Sequence, residues 1–366
     1  MLSSIHRRFA KPLFLASAAL LLAGAGLLVW KKVHQPWRPK APENLEPRAA
    51  MEALQGPVTY GNSPALSLLE RSKPDLLPAK ARPPGTEWRA SFIQATQDAR
   101  LFREMDREVR FNEIWLLGEP SSYKPLLDHL IETKDFTLTR IDQTGLIFRR
   151  GGEGWSESQL QQSLSSFSDP REHAYAQAMA ATRLIAIHQA EPARKLLESA
   201  ESSAADVPEV WSGWSRYYMA MAKWDRALDA ADKSLAIDPD FMPGIACRAQ
   251  ACFATKRFSE AWEAGERLIA SGPNDPSILF YHAKLAHQAH AFQAEIASLQ
   301  KLISLAELAR ASTSGYRVYL AQAYAAVNDA DNAMDQVTLA LLDTSLPKEQ
   351  RQFADELLGQ IKQAMK

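Results

Sequence analysis

Pro208 to Phe241 reads PEVWSGWSRYYMAMAKWDRALDAADKSLAIDPDF, and these 34 residues set the reading of the whole C-terminal half. Counting from Pro208, small residues stand at positions 8 and 20 (Ser215, Ala227), bulky rings at 4, 7, 11 and 17 (Trp211, Trp214, Tyr218, Trp224), and a proline at 32 (Pro239). The pattern recurs from Ala174, Met242, Pro276 and Ser314, so that four of the five units are 34 residues long. Position 8 is Ala181, Ser215, Ala249, Ala283 and Ala321 in turn; position 20 is Ala193, Ala227, Ala261, Glu295 and Ala333. Small residues at both places let two antiparallel helices approach to roughly 8–10 Å. A fixed period of this length marks stacked helical hairpins, which bind partners along their length. Phe258 and Pro273 fall 34 residues after Trp224 and Pro239, so the register carries from one unit to the next.

On these residues the region 174–347 resembles the tetratricopeptide (TPR) family, most closely in units two and three. Unit one lacks the proline at position 32, unit four has Glu295 where the others have alanine and is about four residues longer, and unit five follows the loose stretch Ala311–Gly315. The resemblance implies an α-solenoid of about five hairpins. Residues 348–366 carry Phe353, Leu357, Leu358 and Ile361 as one apolar stripe and read as a C-terminal capping helix. The family binds partners on a concave face built from positions 2, 5, 9 and 12 of each first helix. Here these include Tyr175, Thr182 and Ile185, then Ser212, Arg216 and Met219, then Gln250 and Phe253, then Phe280, Lys284 and His287, and finally Gln322. Their mixture suits an extended peptide or a helix, with rings and Met219 as apolar pockets and Arg216 and Lys284 facing carboxylates. The ninth positions lack asparagine, so this is not the family's carboxylate clamp.

The other end of the chain has a different character. Residues 1–11 form a basic tail, and 12–30 (PLFLASAALLLAGAGLLVW) carry no charge. Nineteen such residues in a helix rise about 28 Å, the thickness of a bilayer core. They are expected to be an uncleaved transmembrane signal-anchor, with Ala23-Gly24-Ala25 leaving a cleaved signal peptide as the alternative. The expected placement is a single-pass inner membrane protein with its C-terminal domains in the periplasm.

Ten prolines between 36 and 84 give residues 31–88 the composition of a linker, with short helices expected at Met51–Leu54 and Ala65–Arg71. Residues 89–150 read as a small α/β domain of order βαβαββ: strand Ala90–Ile93, helix Gln97–Val109, strand Glu113–Leu117, helix Tyr123–Glu132, and a strand pair at Phe136–Ile141 and Gly145–Phe148. A linker, 151–173, leads into the repeats. The run Ile114-Trp115-Leu116-Leu117, the helix start Pro125-Leu126-Leu127 and the closing Leu146 to Arg150 resemble the extracytoplasmic tail domain of lipid-linked membrane glycosyltransferases. That resemblance implies a docking or sensor module, since the catalytic residues of that family lie in membrane-spanning parts without a match here.

The 366 residues have a formal net charge of −1, which offers no electrostatic footprint for nucleic acid. Phosphate loops and the nucleophile and zinc motifs are lacking. His282, His287 and His290 share one helix without a nearby Asp, Glu or Cys to complete a metal set, and Glu260, Glu263 and Glu266 read as a hydrated face. Cys247 and Cys252 point about 140° apart on one helix and are not expected to pair. The expectation is therefore a membrane-anchored scaffold for protein–protein interaction at the cell envelope, with no cofactor, metal or catalysis of its own. The alternative is an accessory or sensor subunit of an envelope polysaccharide or glycosyl-transfer machinery.

Overall fold

The computed structural model describes Trp37 and residues 48–54, 58–78, 87–272, 274–308, 312–344 and 346–365. The chain divides into two units, Met1–Arg38 and Pro39–Lys366, and the described helices and strands belong to the second. The expected anchor at 12–30 and Pro273 lie outside the described residues. Among the described residues no helix is long and apolar enough to cross a membrane. That finding overturns the placement as a single-pass inner membrane protein with periplasmic domains.

Ten helices build the repeats in pairs: α7 (Pro170–Ala186) with α8 (Ala190–Ala204), α9 (Pro208–Ala220) with α10 (Trp224–Ile237), α11 (Met242–Ala254) with α12 (Phe258–Ser271), α13 (Pro276–Gln288) with α14 (Phe292–Leu308), and α15 (Ser314–Ala326) with α16 (Ala330–Leu342). Every position 8 is at most 3 % exposed, and so is every position 20, Glu295 included. In unit two Ser215 Oγ donates to the Ala227 carbonyl at 2.7 Å, one contact position bonding to the other. The helical turns obey the same period. Position 15 is left-handed in all five units, at His188, Ala222, Lys256, His290 and Asn328, with φ between 54° and 62°. The next N–H returns to the carbonyl of position 11 each time, as from Lys223 to Tyr218 at 2.8 Å, and so closes the first helix. α17 (Lys348–Ala364) buries Ala354, Leu357 and Ile361 against α15 and α16. Phe353, expected in that stripe, instead stands 40 % exposed.

The N-terminal part is a four-stranded sheet of order β1-β2-β4-β3, from β1 (Thr59–Gly61), β2 (Glu113–Leu117), β3 (Thr137–Ile141) and β4 (Gly145–Arg149). β1 is parallel to β2; the other pairs are antiparallel. The sheet corrects the expected βαβαββ order in two places. The strand expected at Ala90–Ile93 is part of α3 (Glu87–Ala95), and the first strand comes from residues 59–61 of the expected linker. With α1 (Arg48–Glu52) and α2 (Ser63–Ser72), that stretch is built into the domain. Tyr60 explains why: its ring packs on Phe92, Phe102 and Phe111 at 4.9–5.4 Å, and its hydroxyl donates to the Phe92 carbonyl at 2.7 Å. Asn62 then pins the end of β2, exchanging two hydrogen bonds with the Leu117 backbone. Helices α4 (Ala99–Val109) and α5 (Lys124–Thr133) complete this part, and α6 (Glu157–Leu164), in the expected linker 151–173, buries Leu160 and Leu164.

Candidate partner-binding site

The sheet domain sits on the first repeats. Arg183 of α7 is 1 % exposed, and its guanidinium donates to the carbonyls of Gly118 (3.2 Å) and Thr144 (2.9 Å), at the ends of β2 and of the β3–β4 turn. A third bond ties it to the Met179 carbonyl in its own helix, at 2.7 Å. Arg216 of α9 reaches Glu119 at 3.2 Å. Tyr123, from the turn after β2, is fully buried near Arg183, and burial pushes its phenol up to about 12 against the pull of that cation. Tyr175, two turns before Arg183 on α7, has its phenol raised by burial and by Glu209, with Arg183 pulling the other way.

This junction separates the twelve predicted residues into groups. Arg216 faces the sheet domain, and Tyr175 is half-buried on the same helix as Arg183. Thr182 and Ser212 are buried, their hydroxyls turned back onto the carbonyls of Ala178 and Glu209. Ile185 and Met219 are half-buried and Gln250 is exposed, and none of the three lines the cavity formed by the remaining five. Phe253, Phe280, Lys284, His287 and Gln322 do come together. With Ala283, Gln288, Glu295, Leu299 and Tyr319 they line one cavity of about 240 Å³ across α11, α13, α14 and α15. Phe280 meets Tyr316 and Tyr319 edge-on, both at 5.6 Å. A second cavity, of about 310 Å³, shares Tyr319 and Gln322 and runs on to Phe353 of α17. Through these shared residues the two run together as one trough along units three to five, with exposed rings at Tyr319 and Phe353.

The histidines of α13 are engaged. His282 is buried between Ser298 Oγ (2.7 Å) and Glu266 (2.8 Å), and His287 Nδ1 lies 3.1 Å from both oxygens of Glu295. No cluster of metal-ligating side chains occurs among the described residues. Cys247 and Cys252 are free and buried, and burial raises both thiols. Position-by-position reading missed Tyr319, Glu295 and Phe353 in the trough, and Arg183 and Glu119 at the junction. Only Glu295 carried a signal, as the one large residue at position 20.

No protein-family model matches this chain, and no curated protein does. Solved structures do. Residues 41 to the end of MamA from Desulfovibrio magneticus RS-1 are 16 % identical, with 48 % of this chain and 94 % of that one covered and a TM-score of 0.40. TTC0263, a thermophilic TPR protein of Thermus thermophilus, is 18 % identical over 50 % of this chain and 97 % of its own, with a TM-score of 0.36. YrrB, a TPR protein with an unusual peptide-binding site, is 11 % identical over 54 % and 97 %, with a TM-score of 0.45. The glycosyltransferase resemblance of residues 89–150 gains nothing from these matches. By its own 34-residue period, small contact positions and left-handed hairpin turns, the region 174–347 resembles the tetratricopeptide family.

Proposed function

We propose that this protein is an interaction scaffold that holds an extended segment of a partner protein in the trough of units three to five, without chemistry of its own. The observation that supports this reading is the trough itself: apolar rings with polar side chains at intervals, open in the half of the array that the sheet domain leaves free. The first two units already have an occupant, since the sheet domain stands where a partner would in a bare array. Three first helices and the capping helix side by side span roughly 20–30 Å, at about 8–10 Å per neighbour. An extended strand rising about 3.3 Å per residue fills that length with roughly six to nine residues. Each apolar side chain set fully into such a pocket contributes about 1.5–3 kcal/mol. Two or three anchors then suffice for a reversible complex once ordering costs are met.

The test is selection of short displayed peptides on the full-length chain, followed by titration against Phe280→Ala and Tyr319→Ala. Loss of binding in both variants, with unfolding midpoints near wild type, is the expected result. Peptides that bind both variants as well as wild type would place recognition elsewhere.

A further inference from the structure

Glu295 is the place where the array breaks its own rule. Four of five units carry alanine at position 20; here a carboxylate only 2 % exposed takes its place in the first turn of α14. An ionised carboxylate accepts about four hydrogen bonds, and the His287 ring supplies one N–H at most. The other lone pairs belong to a side chain that lines the trough beside Phe253, Phe280 and Tyr319. Burial pushes this carboxyl up, and His287 beside it pulls it back down. Burying a charge with so few partners is unfavourable, and alanine at this site would carry no such cost. The rings around it present negative faces, which attract a cation.

Resting on the trough as the binding surface, we propose that it takes a lysine or arginine side chain of the bound segment, the cation on Glu295 and the methylene stem against Phe280 and Tyr319. The entering group supplies the donors that the carboxylate lacks. Lys284, on the same lining, does not cancel this preference. Its side chain is exposed, where water and salt weaken its field, while the Glu295 charge acts from a low-dielectric floor.

The experiment uses random peptides of about nine residues, the length the trough holds, displayed on phage and selected on the full-length chain. Those released by Phe280→Ala, or by Tyr319→Ala if the first variant unfolds, are kept. The expected result is that they share a lysine or arginine at one position. Acetylating that lysine, or replacing Glu295 by glutamine, should then weaken binding about tenfold or more, with the urea midpoint of Glu295→Gln no lower than wild type. If the retained peptides share an apolar or acidic residue instead, or bind Glu295→Gln unchanged, the cation pocket is wrong while the trough stands. If no peptide is released by either aromatic variant, the trough reading itself fails, and the cation pocket with it.

Discussion

Replacing Arg183 by methionine tests whether the sheet domain and the repeats form one body. The side chain makes three hydrogen bonds, two of them across the junction to Gly118 and Thr144. Bonds from a charged donor contribute about 1.5–3 kcal/mol each, so the two crossing bonds are worth roughly 3 kcal/mol or more. Two terms reduce the loss. Arg183 Nε is buried without a partner, so removing the charge relieves a desolvation cost. Both carbonyls also keep a second donor: Tyr123 Oη at 3.4 Å on Gly118 and the Gly118 N–H at 3.2 Å on Thr144. Methionine fills most of the aliphatic stem, so the cavity term is small. The net expectation is a loss of about 2 kcal/mol, which moves a urea midpoint by about 1 M at slopes of about 1–3 kcal/mol per M. Unfolding followed by tryptophan fluorescence reads the shift, and amide exchange should speed up at Gly118–Tyr123 and at the β3–β4 turn. An unchanged midpoint with wild-type exchange at those amides would refute the clasp. Arg194→Met, which removes only exposed pairs with Glu191 and Glu198, is the control expected to change nothing measurable.

Three further outcomes rest on the geometry. Ala222 holds φ at 54° in the hairpin turn of unit two, so Ala222→Gly should raise stability by about 1 kcal/mol in thermal unfolding, because alanine carries a left-handed penalty that glycine does not. A destabilised variant would contradict that reading of the turn. Gly145→Ala should cost about 1–3 kcal/mol in the same assay, because a Cβ there would run into the Leu116 carbonyl oxygen and force the β2–β4 pairing apart. Glu295 titrates above its ordinary value near 4.5 in the folded chain, so the native state keeps its proton longer than the unfolded state does. Its contribution to stability is therefore present below that ordinary value and is lost as pH rises through the raised one. Urea midpoints measured from acid to neutral pH should show wild type losing ground to Glu295→Gln, and a constant difference would refute the sign.

Much of the solenoid was legible because its constraint is local and repeated. Each unit states the same demand, small residues at 8 and 20, and helices α9, α11, α13 and α15 begin at the four unit starts Pro208, Met242, Pro276 and Ser314. Proline or methionine-proline at three of those starts suits the first helical turn. The sheet was less legible. Thr59–Gly61 is three residues long and pairs with Glu113–Trp115, more than fifty residues away, so neither alternation nor a turn announces it. The partners of Tyr60 decide its place, and they become neighbours only in the fold. Helix α3 misled for the opposite reason: Ala90–Ile93 is too short a window for a period of two to be told from one of 3.6. Positional rules carried over from the family picked out the rings Phe253 and Phe280, which share one cavity. They could not see that Arg183 and Arg216 hold another domain over units one and two. Intramolecular occupancy is a property of the docked surfaces and leaves no mark at the positions it covers.

The proposed binding surface requires one division of the array, closed in units one and two and open in units three to five. Hydrogen exchange on the full-length chain, with and without a saturating peptide selected on it, measures that division directly. New protection is expected in α11, α13 and α15 around Phe253–Gln322, with unchanged exchange in α7, α9 and the Gly118–Tyr123 turn. Protection that appears instead along Tyr175–Met219, with the sheet domain exchanging faster as it is displaced, would contradict it.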